Sequence, residues 1–97
     1  MGPDRPTYHK YTKNTSNMSK EYYKKRIIDL RAAMAKEKEA KKRDNETYAG
    51  YIKRASSAEY KASYRKQKID RAASHDRNIE NYKRQIESAK DSLKRCK

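Results

Sequence analysis

Phenylalanine and tryptophan are absent from this 97-residue chain, glycine and proline occur twice each, and there is one cysteine. Each shortage excludes something. The nine tyrosines are the whole aromatic complement, and every ring carries a hydroxyl that needs water or a partner, which suits interfaces and half-buried seams better than a dry core. Three of the four glycines and prolines (Gly2, Pro3 and Pro6) fall within the first six residues. The remainder is almost free of helix breakers and favours long helices. Cys96 has no second cysteine with which to form an intramolecular disulfide or a metal-binding pair, so a reducing compartment is the simplest setting, with a dimer-linking bond still open. No apolar run approaches the ~20 residues of a membrane-spanning helix. The segment MGPDRPTYHKYTKNTSN also lacks the apolar stretch of a signal peptide. A cytoplasmic protein without a transmembrane segment is expected.

What is abundant is charge. Asp, Glu, Lys and Arg make up 41% of the residues against 33% hydrophobic ones, so the chain can build at most one thin domain. Lys and Arg number 27 against 13 Asp and Glu, a net charge of +14 with both histidines neutral. An acidic partner or anionic surface is attractive to such a chain, although basic coiled coils are also often simply solvated.

Residues 1–18 hold both prolines, Gly2 and the polar run Asn14-Thr15-Ser16-Asn17, and are expected to form a flexible basic tail. Ser19 is a candidate N-cap, with Met18 and Tyr23 placed as a hydrophobic staple. The expected first helix covers about 20–54. Tyr23, Ile27, Leu30 and Met34, and later Tyr48, Tyr51 and Ala55, recur at alternating spacings of four and three, the signature of a heptad seam. Between these groups, residues 35–47 place Glu37, Lys41 and Asp44 on the seam, so the middle of the first helix is expected to pack weakly.

Ser56-Ser57-Ala58-Glu59 reads as a capping box built on Ser56 and Glu59. A bend is therefore expected at about 55–57 and a second helix over about 57–96. Its seam runs through Ala72, Ile79, Ile86 and Leu93 with Tyr82, Ala89 and Cys96. Ile69 belongs to an earlier phase and predicts a stutter near His75. Two helices of similar length predict an all-α fold, a long two-helix antiparallel coiled-coil hairpin with a disordered N-terminal tail; one continuous helix paired with a second chain is the alternative. In the hairpin register Tyr23, Ile27 and Leu30 meet Ile79, Tyr82 and Ile86, while Tyr48, Tyr51, Tyr60 and Tyr64 gather at the bend as a candidate interface or as filling between small residues.

A two-helix seam encloses no reaction pocket, so neither catalysis nor a cofactor or small-molecule substrate is expected. His9 lies in the tail, and His75 has no correctly spaced ligands for a metal. Cys96 continues the seam. The densest basic clusters are Lys24-Lys25-Arg26, Lys41-Lys42-Arg43 and Arg65-Lys66 with Lys68. They are candidate phosphate contacts for non-specific nucleic-acid binding, without the signature of a basic zipper, zinc finger or stacking sheet. Attachment to an anionic membrane surface is a weaker alternative.

The segments SKEYYKKRIIDLR (19–31), IKRASSAEYKASYRKQKIDR (52–71) and NIENYKRQIESAKDSLKR (78–95) together resemble the Lys-rich N-terminal coiled-coil hairpin of bacterial Toll/interleukin-receptor-like effectors of phage defence. The resemblance implies an oligomerising or targeting module and carries over no catalytic residue. A second likeness is to the helical hairpins exported by type VII secretion systems, with Tyr48-Ala49-Gly50 standing where those place Trp-X-Gly. The function expected is a protein-interaction module that self-associates or docks on a larger protein through the Ile/Leu seam and the tyrosine bend.

Overall fold

The computed structural model describes the backbone of residues 12–96 and the side chains of residues 19–96. All but four of residues 12–96 lie in two α-helices, α1 (Thr12–Arg54) and α2 (Ala58–Arg95), which pack side by side as an antiparallel hairpin. At the standard rise they are about 64 and 57 Å long.

Neither helix contains a proline, and Gly50 is their only glycine. α1 therefore starts earlier than expected. The first seven positions, Thr12 to Met18, belong to it, and Ser19 is an interior residue rather than an N-cap. Polar residues such as Thr, Asn and Ser cost only a few tenths of a kcal/mol each inside a helix; no breaker lies between them and the strong helix formers that follow. The rest of the expected tail, residues 1–11, lies outside the described residues, as does His9.

The chain reverses over three residues. The Ala55 amide donates to the Ile52 carbonyl at 3.4 Å, tightening the last turn of α1. Ser57 then adopts an extended conformation (φ −132°, ψ 156°), and its Oγ accepts from the Tyr60 amide at 3.1 Å. The cap is thus Ser57 and not Ser56. Counting from Ser57, the third helical residue is Tyr60, so no reciprocal capping box forms, and Glu59 instead faces the positive end of the helix dipole. Ser57 is half-buried whereas Ser56 is exposed. Tyr48, Ala49 and Gly50 all remain helical, so the turn that the type VII likeness required there is absent.

The core is small and sits far from the bend. Ile27 and Leu30 of α1 and Ile86 and Ala89 of α2 are its only buried members among the described residues, each still 4–7% exposed, with Tyr23, Met34, Tyr82 and Leu93 packed around them. α1 keeps its heptad spacing throughout, although Tyr51 on that spacing is 40% exposed. In α2 the half-buried positions run Lys61, Tyr64, Lys68, Ala72 with its neighbour Ala73, His75, Ile79 and Tyr82, so the two consecutive steps of four from Tyr64 to Ala72 place the stutter ahead of His75. Lys68 holds the seam position and is half-buried there, as the aliphatic stem of a lysine allows. Ile69, one residue and about 100° further round the helix, is 66% exposed; it is not part of the seam. The same shift displaces Tyr60, which is 61% exposed because Lys61 and Tyr64 hold the neighbouring seam positions.

Two substitutions test these local assignments by chemical denaturation. A Cβ added at Gly50 meets only the movable end of Arg54, at 3.1 Å, so Gly50→Ala should raise stability by about 1 kcal/mol through helix propensity. Ser57→Ala should lower it by about 1 kcal/mol, while Ser56→Ala should leave it nearly unchanged.

Candidate functional site

The seam divides into three zones, and the middle one is ionic. Glu37, Lys41 and Asp44 of α1 face Arg71, His75, Asp76 and Asn78 of α2. His75 is clamped on both sides, its Nδ1 lying 2.5 Å from Glu37 Oε2 and its Nε2 2.6 Å from Asp44 Oδ2. A neutral imidazole has one N–H and one lone pair, and either tautomer would turn that lone pair toward a carboxylate. The clamp therefore favours the imidazolium, which donates from both nitrogens.

The surrounding groups complete this network. The Asn78 amide donates to Glu37 Oε2 at 3.0 Å, and Arg71 Nε donates to Asp44 Oδ2 at 3.2 Å. Lys41 Nζ donates to Asp76 Oδ1 at 2.7 Å. The side chains of His75, Glu37 and Asp44 are 17%, 19% and 25% exposed, which is enough cover to strengthen charge-assisted hydrogen bonds over those at the open surface. The hydrogen bonds to Asp44 and Glu37 raise the pKa of His75. The hydrogen bond from His75, reinforced by that from Asn78, lowers the pKa of Glu37, and His75 with Arg71 lowers that of Asp44.

Toward the bend, Tyr48, Tyr51 and Tyr64 form a triad. Tyr48 and Tyr51 meet edge to face with centroids 5.3 Å apart, and Tyr64 lies 5.3 Å from Tyr51 and 6.4 Å from Tyr48. Tyr60 is not among them. The Arg71 guanidinium sits 5.6 Å from the Tyr48 ring centroid, so one side chain joins the ionic zone to the aromatic one.

The candidate phosphate contacts do not form a common surface. Consecutive residues of a helix point about 100° apart, so each triplet fans round its helix. Several of these cations are already engaged: Lys24 with Glu21 (3.7 Å), Lys25 with Asp29 (3.4 Å), Arg43 with Glu39 (3.9 Å) and Lys66 with Asp70 (4.0 Å). Arg26 donates to Gln85 at 3.1 Å. Lys42, Arg65 and Lys68 have no carboxylate within ion-pair reach among the described residues. Of the expected seam, Tyr23, Ile27, Leu30, Met34, Tyr82, Ile86 and Leu93 come together, Ala72 and Ile79 are half-buried along it, and Ile69 stands apart.

The ionic network is what sequence reasoning missed. Its signal is present nonetheless, because a register that sets Tyr48 opposite Tyr64 also sets Glu37, eleven residues earlier, opposite His75, eleven residues later. Chemically the arrangement is a structural clamp: both imidazole nitrogens are occupied, and no group of three or more His, Cys, Asp or Glu is placed to hold a metal ion among the described residues. No described helix is long and apolar enough to cross a membrane. No protein-family model, curated protein or solved structure matches the chain.

The clamp makes stability depend on pH. His75, with its raised pKa, stabilises the fold fully below the ordinary imidazole value and loses that effect as pH rises through its folded-state pKa; Glu37 and Asp44, with lowered pKa values, contribute above the ordinary carboxylate range and lose it as pH falls through theirs. The optimum should lie at about pH 5 to 6.5. The urea midpoint of the wild type should fall between that window and pH 8.5, and His75→Gln should abolish most of the fall. An unchanged wild-type midpoint would show that no imidazolium bridges the helices.

Proposed function

We propose that the protein works without catalysis, as a cytoplasmic coiled-coil interaction module whose hairpin associates with a second copy of itself and serves as a small subunit or targeting segment of a bacterial defence-type assembly. The observation that carries this reading is how little the hairpin buries and what it leaves outside. Among the described residues four make up the buried core, while Tyr22 and Ile28 near the open end are 57% and 64% exposed.

The Ile/Leu seam of α2 is occupied by α1, since Ile86 and Leu93 pack in the intramolecular core. An intermolecular contact through it would require opening the hairpin. The surface better suited to a second copy lies on a flank of α1, where Tyr22 and Ala33 line a hollow of about 370 Å³ above the buried Leu30, edged by Lys25, Arg26 and Asp29. Lys25 and Asp29, which pair within the chain at 3.4 Å, can exchange partners with a second copy over the apolar floor. A two-fold pairing of like surfaces uses both properties. The similarity of residues 19–31, 52–71 and 78–95 to the coiled-coil segments of defence effectors supports the biological setting.

Light scattering coupled to size exclusion, across a concentration series, checks the association. The wild type should shift from monomer to dimer as concentration rises, and Tyr22→Lys combined with Ala33→Glu should hold it monomeric with its helical circular dichroism intact. A wild type that stays monomeric throughout would overturn the reading.

A further inference from the structure

The two flanks of the seam differ in charge. On one flank Arg26 donates to Gln85 and Asn78 to Glu37, and the hollow between the helices is lined by Tyr23, Ser88, Ala89 and Ser92 with Arg26 as its one cation. On the other flank Lys24, Arg31 and Lys38 follow one another at heptad spacing along α1, about 10 Å apart. Lys83 and Lys90 hold the corresponding positions of α2.

Arg31, Lys83 and Lys90 converge on a single hollow of about 330 Å³, floored by Met34 and Ile86. Coiled coils ordinarily place opposite charges at the flanking positions that face one another. Here cation faces cation. Glu87, at the rim, reaches Lys90 at 3.4 Å, but neither Arg31 nor Lys83 has a carboxylate within ion-pair reach among the described residues. Further along, Asp76 is neutralised by Lys41 at 2.7 Å. The like-charged pair works against closure of the hairpin, and an anion seated between its members would turn that repulsion into attraction.

We propose that this groove binds the phosphodiester backbone of nucleic acid without regard to sequence, with a phosphate between Arg31 and Lys83, Lys38 continuing the row along the strand, and Lys24 joining it by leaving its exposed pair with Glu21 (3.7 Å). The choice of a linear polyanion rests on the geometry. The cations form a line along the hairpin axis rather than one deep pocket, and no aromatic ring lines the hollow for a base to stack on. The surface is separate from the α1 hollow assigned to self-association, so either can fail without the other.

Fluorescence anisotropy of a labelled DNA or RNA oligonucleotide, titrated at several salt concentrations, tests the inference. About four phosphate contacts predict a log–log salt slope near −3.6 for duplex DNA and near −2.8 for a single strand. Arg31→Glu with Lys83→Glu should weaken binding at least about tenfold and bring the slope about two units closer to zero. Arg31→Glu alone creates an opposite-charge pair across the groove, so the thermal midpoint should hold or rise, which separates lost binding from lost folding. Arg77→Glu with Arg84→Glu changes the charge equally on the outer surface of α2 and should weaken binding far less. Equal loss in both double variants would overturn the groove as a site, as would absence of wild-type binding at low salt. Groove-dependent binding to anionic phosphatidylserine vesicles without oligonucleotide binding would also overturn it.

Discussion

Two helices have only one surface in common, and everything in this protein depends on the register in which that surface closes. A shift of one heptad would still bring apolar residues together at the open end, because Ile, Leu, Ala and Tyr are interchangeable enough to pack in more than one way. The ionic zone is far less tolerant. Glu37 and Asp44 must both reach His75, Arg71 must reach Asp44, and Lys41 must reach Asp76. Any slip leaves partly covered charges without partners, at a cost that grows with their cover. The small apolar core supplies attraction and the charged middle supplies the choice among alternatives, the role that a buried polar residue plays in fixing the alignment of coiled coils.

The three zones are coupled through shared side chains rather than merely adjoining. Arg71 bonds to Asp44 and lies over Tyr48, and Tyr48 touches both Tyr51 and Tyr64. From the bend to the middle of the hairpin, polar and aromatic contacts therefore form a continuous chain. This continuity explains how a molecule with a third of its residues hydrophobic keeps two long helices together over a span where the apolar stripe has vanished.

The elements legible in the sequence are those that announce themselves locally. Alternating steps of four and three mark Ile27, Leu30, Ile86 and Leu93, and consecutive serines after a long breaker-free stretch mark the reversal. Features that depend on the opposite helix stay hidden. Ile69 has the composition of a seam residue and the wrong angle for it, since the phase is fixed by Tyr64 on one side and Ala72 on the other. Ser57 rather than Ser56 is the cap, and its half-buried side of the turn exists only once α1 is in place. Reading Glu37, Lys41 and Asp44 as a weak zone is right about the missing apolar contacts and silent about the complementary charges across from them. Counting apolar residues does not find polar partners; aligning the two helices does.

The position of the core has a consequence for how the chain acquires its shape. Ile27 and Leu30 meet Ile86 and Ala89 at the end away from the bend, so the most hydrophobic contact closes a loop roughly four times longer than the one closed by Tyr48 and Tyr64. Each doubling of loop length adds ~0.6 kcal/mol of closure entropy, about 1.2 kcal/mol in total for the distant contact. Chain entropy thus favours zippering outward from the tyrosines, with the ionic zone setting on the way and the aliphatic contacts closing last. The strongest adhesive in the hairpin then acts as its final latch.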